Sequence, residues 1–594
     1  MNVNHQLLDT LHILGTRGEP VYRLYARMLD EDLFIASYIK LYPNKGAMTP
    51  GSDPKDSIDG MSLQRIRRLI DTLKNNRWRW KPSRRTTIPK RNGKSRPLSM
   101  PNWSDKLVQD VMRTVLTAYY EPVFRDESHG FRPKRGCHTA LNHIKHVWTG
   151  VNWFVEGDIE GCFDNIDHLQ LLQTIGKRIR DFRFMKLLRT MLKAGYIEKW
   201  KMKPSLAGTP QGGVVSPLLA NIFLHQLDEY VVSQLKPNFD KGIRKRVNQI
   251  YQKLQNAITA AIQKDDYDAA RRLRVERRKV PSRAPKDDSY RRLVYIRYAD
   301  DFMLGIIGTK DEAKQIKSMV GAFLDSIKLK LSPEKTKITH ATTGRARFLG
   351  YDIYKHSGKY PHRNRSGRIQ LKVPKDRLSD MMSRYLRHGK PIHRRELAYA
   401  SDAEIIRHYD SELRGYYNYY RLASDVSHRI GYLKLVMHLS LAKTLANKHK
   451  SSVAKVYRRY GKNGTVTGRR ILAAFIKTKS GNKAISFGDY SLRRQTIPNK
   501  YDQDPYLPAL PYKELTQRLN ATKCELCGKQ TTNVEVHHIK RMQDIRKQVR
   551  AGRKERWQEV MAYRNRKTLV VCHNCHQQIH YPRNGHSAPE SRVK

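Results

Sequence analysis

Apolar and polar positions change period several times along the chain. Residues 1 to about 80 repeat their apolar positions at helical spacing, interrupted by the polar turn "NKGAMTPGSDPKDSIDG". From about 84 to 231 short apolar strands such as "FVEGDI" alternate with helical stretches such as "HLQLLQTIGKRI". Residues 232 to 292 are charged and poor in core residues. They read as an insertion, either a solvated helical hairpin or an RNA-contacting one. Strand character returns with "RLVYIRYADDFMLGIIG" and continues through "KLKLSPEKTKITHATTGRARFLGYDIY". From about 375 to 460 the pattern is helical again. Leu433, Met437, Leu441 and Leu445 fall on one face, as do Ile406, Tyr409, Leu413, Tyr417 and Tyr420. A Gly/Lys-rich stretch then opens a basic connector to about 515, and a Cys/His-bearing tail closes the sequence.

Length and charge change this picture in two ways. At about 150 residues per domain, 594 residues predict roughly four units. The formal net charge of +59 would oppose folding by self-repulsion unless a polyanion neutralised it, so nucleic acid is the expected partner. No run approaches the ~18 apolar residues of a spanning helix, and the N-terminus has no signal-peptide pattern. A soluble, cytoplasmic protein is expected, in the bacterial cytoplasm or nucleoid or in an organelle.

Chemistry concentrates in two places. Asp300 and Asp301 interrupt a nearly apolar run, where ionised groups are costly unless paired or bound to a cation. Neighbours in a continuing strand point to opposite faces, so a hairpin turn at 299–301 is needed for both to serve one site. Asp158, at the end of "WFVEGD", offers a third carboxylate. Such a set can hold the Mg²⁺ ions of phosphoryl transfer. In the tail, Cys524, Cys527, Cys572 and Cys575 form two C-x2-C pairs, the spacing of a structural Zn²⁺ site. His537 and His538 lie between those pairs, and His576 and His580 stand four residues apart on one helical face.

Taken in order, "RRTTIPKRNGKSRPLSMP", "SHGFRPKRGCHTAL", "WFVEGDIEGCFDNIDH", "AGTPQGGVVSPLLANIFLHQLD", "VYIRYADDF", "LSPEKTKI" and "FLGYDI" resemble the polymerase blocks of reverse transcriptase/maturase proteins encoded by group II introns. The resemblance covers nearly the whole chain. It implies a multidomain α+β protein: a right-hand polymerase with fingers and palm, a helical thumb (maturase domain X), a basic DNA-binding connector and a small zinc-containing ββα-metal (HNH) nuclease. The corresponding boundaries are 1–83 for an N-terminal extension and the start of the fingers, 84–374 for fingers and palm with the insertion at 232–292, 375–460 for the thumb, 461–515 for the connector and 516–594 for the nuclease.

The resemblance further implies that Asp158, Asp300 and Asp301 bind the catalytic Mg²⁺ ions. Lys90 and Arg96 would meet the incoming triphosphate, Phe163 would exclude a ribose 2′-hydroxyl, Gln211 would border the nascent pair, and Lys335 would flank the site. In the tail His538 would be the general base, with His537, His576 and His580 around a nuclease metal. One position departs from the family pattern: Lys567 stands where many HNH motifs carry an asparagine, with Asn565 two residues away. The implied partners are intron RNA, target DNA and deoxynucleoside triphosphates. The implied activities are RNA-directed DNA synthesis, assistance of intron splicing, and target nicking that primes reverse transcription. A decayed, non-catalytic splicing factor and a retron or defence reverse transcriptase are the alternatives. The first predicts damage at Asp158, Asp300 or "PQGG", which the sequence does not show.

Overall fold

The computed structural model describes the chain except residues 1–4, 45, 90–92, 94, 199–200, 204–207, 209–211, 285–286, 357–366, 479–480, 497–512, 551, 553–554, 565 and 582–594. The part of the chain expected to form fingers and palm is built on a five-stranded sheet in the order Ser128–His129, Arg292–Tyr298, Asp301–Ile307, Trp153–Asp158, Lys337–His340. The three central strands are antiparallel neighbours. Their alternation is blurred because the sheet is covered on both faces. Phe154, Ile296 and Met303 join one core, while Val155, Leu293, Leu304 and Ile306 join another. Helix Lys310–Ser326 follows the hairpin and starts at a capping box, in which Thr309 and Glu312 satisfy each other's backbone N–H groups. A second, four-stranded sheet is formed by Ser83–Pro89, Ser95–Met100, Tyr196–Glu198 and Lys201–Lys203, with Arg96 opposite Ile88.

Helices Gln249–Gln263 and Tyr267–Lys279 form the inserted hairpin. Ile258 and Ala270 are its buried residues, so it packs as a mostly solvated pair. Downstream, helix Asp402–Tyr420 opens with a second capping box, Ser401 with Glu404. It buries Ile406, Tyr409, Leu413, Tyr417 and Tyr420, the face expected from their spacing. Helix Val426–Lys448 buries Leu433, Met437, Leu441 and Leu445 against it. Tyr409 fixes the pairing of the two helices, its hydroxyl 2.9 Å from both Ser440 Oγ and Thr444 Oγ1. Basic groups on these helices have protein partners: Arg414 meets Asp410 at 2.6 Å, Lys448 meets Asp402 at 2.6 Å, and Lys443 donates to the Pro391 carbonyl at 2.8 Å.

The stretch expected as a connector carries a three-stranded antiparallel sheet, Gly461–Asn463, Arg470–Thr478 and Gly481–Ser486. Leu472, Ala474 and Phe487 sit in the same core as the helices before it. Its many lysines and arginines mask a short apolar alternation that is decisive only once the helices supply a surface to cover. The tail forms an antiparallel pair, Val534–His538 with Thr568–Cys572, followed by helix His573–His580.

Candidate functional site

The first site stands at the end of the central hairpin. Tyr298 pairs with Asp301, leaving Ala299 and Asp300 as a two-residue turn in which Ala299 adopts φ 55°. On the other side Asp301 lies directly opposite Asp158. Residues directly opposite in an antiparallel pair present side chains on one face, so Asp158 and Asp301 share a face at one end of the sheet, with Asp300 beside them in the turn. Burial raises the Asp300 carboxyl above its ordinary range, with Asp158 adding to the rise and Lys335 and Arg96 opposing it. Burial, then Asp300 and Asp158, push Asp301 up to about 7. Burial and mutual repulsion disfavour the ionised forms of Asp300 and Asp301, a penalty that a divalent cation beside them would relieve. Lys335 Nζ is 2.6 Å from Asp158 Oδ2 and is its counter-ion.

A buried network sets the turn. Arg297 is fully buried and its guanidinium places every N–H: Nε on Asp228 Oδ1 (2.7 Å), Nη2 on Asp228 Oδ2 (2.6 Å) and Ser128 Oγ (2.7 Å), Nη1 on Asn221 Oδ1 (2.9 Å) and the Ala299 carbonyl (2.9 Å). Tyr295 donates to Asp228 Oδ1 at 2.8 Å, and the Ala299 N–H donates to the His129 carbonyl at 3.0 Å. Both backbone groups of the left-handed Ala299 are therefore held from beneath. Sequence reading missed this pair, since an Arg and an Asp far apart in the chain carry no local signal.

Phe163 is half-buried in the short helix Cys162–Asn165. Gly208 lies against it: a Cβ there would come 2.7 Å from the Phe163 and Asp164 carbonyl oxygens, at φ +89°, so only glycine permits the approach. At Gly212, φ +112°, a Cβ would come 2.2 Å from the Ser99 carbonyl oxygen. Lys90 and Gln211 lie outside the described residues. Arg96 is close enough to act on Asp300.

The second site is the tail. The ligand atoms of Cys524, Cys527, Cys572 and Cys575 lie within 4.8 Å of one another, on the turn at 524–527 and at the start of the last helix. Burial opposes ionisation of Cys524, but backbone N–H groups of Cys527, Cys572 and Leu526 bring its thiol down to about 7. Four thiols so gathered suit a thiophilic, tetrahedral cation. Across the strands from them, His537, His576 and His580 converge, with ring centroids 4.8 to 5.4 Å apart. His537 is buried and neither ring nitrogen makes an aligned hydrogen bond, although Nδ1 lies 3.2 Å from Asp59 Oδ1. Asp59, from the N-terminal polar turn, joins the three imidazoles in a second group within 4.8 Å. Sequence reading assigned it no role. Burial draws His538 down to about 4, which keeps its ring neutral, with Nδ1 2.7 Å from the Val536 carbonyl. Lys567 contributes its carbonyl to the Ile539 N–H at 3.1 Å, so its backbone links the two strands. Asn565 lies outside the described residues.

A polymerase-type carboxylate hairpin and a ββα tail with Cys and His clusters define a multidomain nucleic-acid enzyme. Residues 88–353 match the family model of the reverse transcriptase (RNA-dependent DNA polymerase), 368–494 that of the type II intron maturase, and 524–576 that of the AI2M/AI1M-like HNH endonuclease. The chain is 38% identical over 588 residues to the group II intron-encoded protein LtrA of Lactococcus lactis subsp. cremoris, covering 94% of this chain and 95% of that one. It is 34% identical to an uncharacterized 91 kDa protein in the cob intron of Schizosaccharomyces pombe, over 93% of this chain and 69% of that protein. The chain belongs to the group II intron-encoded proteins, and carries RNA-directed DNA polymerase, maturase and HNH endonuclease domains. Among the described residues no helix is long and apolar enough to cross a membrane.

Proposed function

We propose that this multifunctional protein copies intron RNA into DNA at Asp158, Asp300 and Asp301, assists folding of the same RNA for splicing, and nicks target DNA with its tail to provide the primer. The observation that carries the polymerase assignment is the register that sets Asp301 opposite Asp158 beside the Asp300 turn. Bound Mg²⁺ would supply Lewis acidity toward the triphosphate and the primer hydroxyl. The chain's own part is positioning: the three carboxylates hold the cations, Arg297 holds the turn, and Lys335 neutralises Asp158 between turnovers. Arg96 and Lys90 would bind triphosphate oxygens, Gln211 would border the nascent pair, and Phe163, backed by Gly208, would stand where a 2′-hydroxyl must pass.

For the tail the proposal is a structural Zn²⁺ on the four cysteines and a divalent nuclease metal on His537, His576 and His580, with His538 taking a proton from the attacking water. The division is 1–83, 84–374, 375–460, 461–515 and 516–594, with the thumb gripping RNA and the basic segment after it meeting target DNA. Intron RNA, target DNA and deoxynucleotides are the partners, in a thiol-reducing, cytoplasmic setting. Primer extension on an RNA template with Mg²⁺, comparing the native chain with Asp300→Ala while RNA binding is followed, tests the reading. Synthesis by the native chain alone, with RNA bound by both, supports it. Tight RNA binding without synthesis by either would leave a non-catalytic splicing factor.

A further inference from the structure

The nuclease face is covered by the N-terminal part of the same chain. Strand Val534–His538 pairs with Thr568–Cys572 along one edge, and its other edge takes Met61 as an antiparallel bridge. Val536 donates its N–H to the Met61 carbonyl at 2.9 Å, and Gly60 donates to the Val536 carbonyl at 3.2 Å. Gly60 adopts φ +70°, where an L side chain is strained, and a Cβ there would come 3.1 Å from the His576 ring. Arg65 fastens the turn by donating to the Ser57 and Asp59 carbonyls at 2.8 and 3.1 Å and to Asp56 Oδ1 at 2.8 Å.

This attachment directs the Asp59 carboxylate into the histidine cluster. Oδ2 is 2.7 Å from His580 Nε2, and Oδ1 is 3.3 Å from His576 Nε2, 3.2 Å from His537 Nδ1 and 2.7 Å from the His538 backbone N–H. Glu535 meets the other nitrogen of His576 at 2.6 Å, so the ring is oriented from behind with Nε2 facing the cluster. The neighbouring His538 is 4% exposed, with Nε2 3.1 Å from the Tyr38 hydroxyl, and Tyr42 packs against its ring.

We propose that Asp59 is the fourth donor of a divalent-cation site formed with His537, His576 and His580, and that it holds the nuclease closed until DNA displaces it. The proposal rests on reading the tail as a nuclease. Four nitrogen and oxygen donors complete a tetrahedral site, and a site filled by protein alone has no open position for substrate. The scissile phosphate needs that open position, and Tyr38 must also leave Nε2 of His538 before the ring can take a proton. An anionic phosphate oxygen is the chemical equal of the Asp59 carboxylate, so target DNA competes directly with the N-terminal turn. The closed state would keep a chain that binds RNA throughout synthesis from cutting DNA at random.

The test titrates Co²⁺ into the full chain, with Zn²⁺ already on the cysteines and an Asp300→Ala background, following the visible absorption of tetrahedral cobalt. Asp59→Ala and Asp59→Asn are compared with the unsubstituted site, and DNA nicking is measured at saturating metal. Asn keeps the size of the side chain and its acceptor for the His538 N–H, so it guards against a folding defect in the Ala variant. Both variants should weaken Co²⁺ binding at least tenfold and raise nicking at saturating metal severalfold. Unchanged Co²⁺ affinity would overturn the proposal, and so would weakened affinity with nicking abolished at saturation. If Asp59 governs Co²⁺ affinity but no form of the chain nicks DNA, the four-donor site stands and the nuclease reading falls.

Discussion

Removing the charge of Asp228 tests whether the buried network sets the polymerase turn. Asp228 and Arg297 are both fully buried, and Asp228 accepts from Arg297 Nε, Arg297 Nη2 and Tyr295. Asp228→Asn keeps the shape but leaves a guanidinium in the core without its counter-charge. Breaking one partner of such a pair costs about 3–5 kcal/mol. At roughly 2–4 °C per kcal/mol for a domain of 150–250 residues, the unfolding transition of the polymerase half should fall by on the order of 10 °C. The double variant Asp228→Leu/Arg297→Met removes both charges and should lose less stability than Asp228→Asn. It should still be deficient in primer extension, because the Ala299 carbonyl loses its donor and Asp300 its fixed place. The assay is denaturant or thermal unfolding followed by a probe in the polymerase half, with RNA-templated extension at a temperature where each variant is folded. A loss below about 1 kcal/mol for Asp228→Asn, or a double variant with full polymerase activity, would refute the reasoning.

Three further outcomes follow from the sites. Asp301 is pushed up to about 7 from an ordinary carboxylate value, so the metal-free folded chain binds the proton more tightly than the unfolded one. Its contribution to stability is present at low pH and is lost as pH rises through about 7, and the Mg²⁺ concentration for half-maximal extension should fall over the same window. An Mg²⁺ requirement flat between pH 5.5 and 7.5 would contradict this. Cys575→Ser should release the tail's metal and expose it to proteolysis while RNA-templated extension continues, read by limited digestion and zinc content. His538→Ala should reduce nicking by about 10²–10⁴-fold without loss of metal from the cysteine site. Retention of nicking would remove His538 from the role of base.

Local pattern determined a good deal of this protein. Adjacent aspartates in an apolar run required a turn, and that turn lies between Tyr298 and Asp301. The i+3 and i+4 tyrosines and leucines of the helices after 400 named the buried faces, because a helix that packs on one side must repeat at its own period. The C-x2-C spacing named the four cysteines that meet. Tertiary structure alone decided the rest. Asp59 reaches His537 across nearly the whole length of the chain, and Arg297 meets Asp228 from another element. Neither acid differs in type or spacing from the other acids of the sequence. The sheet at 461–486 became visible only where the helices before it offered Leu472 and Phe487 a core to enter. A motif can be read where neighbours in the chain do the chemistry together, whereas a contact between distant segments exists only because the fold carries them to one place.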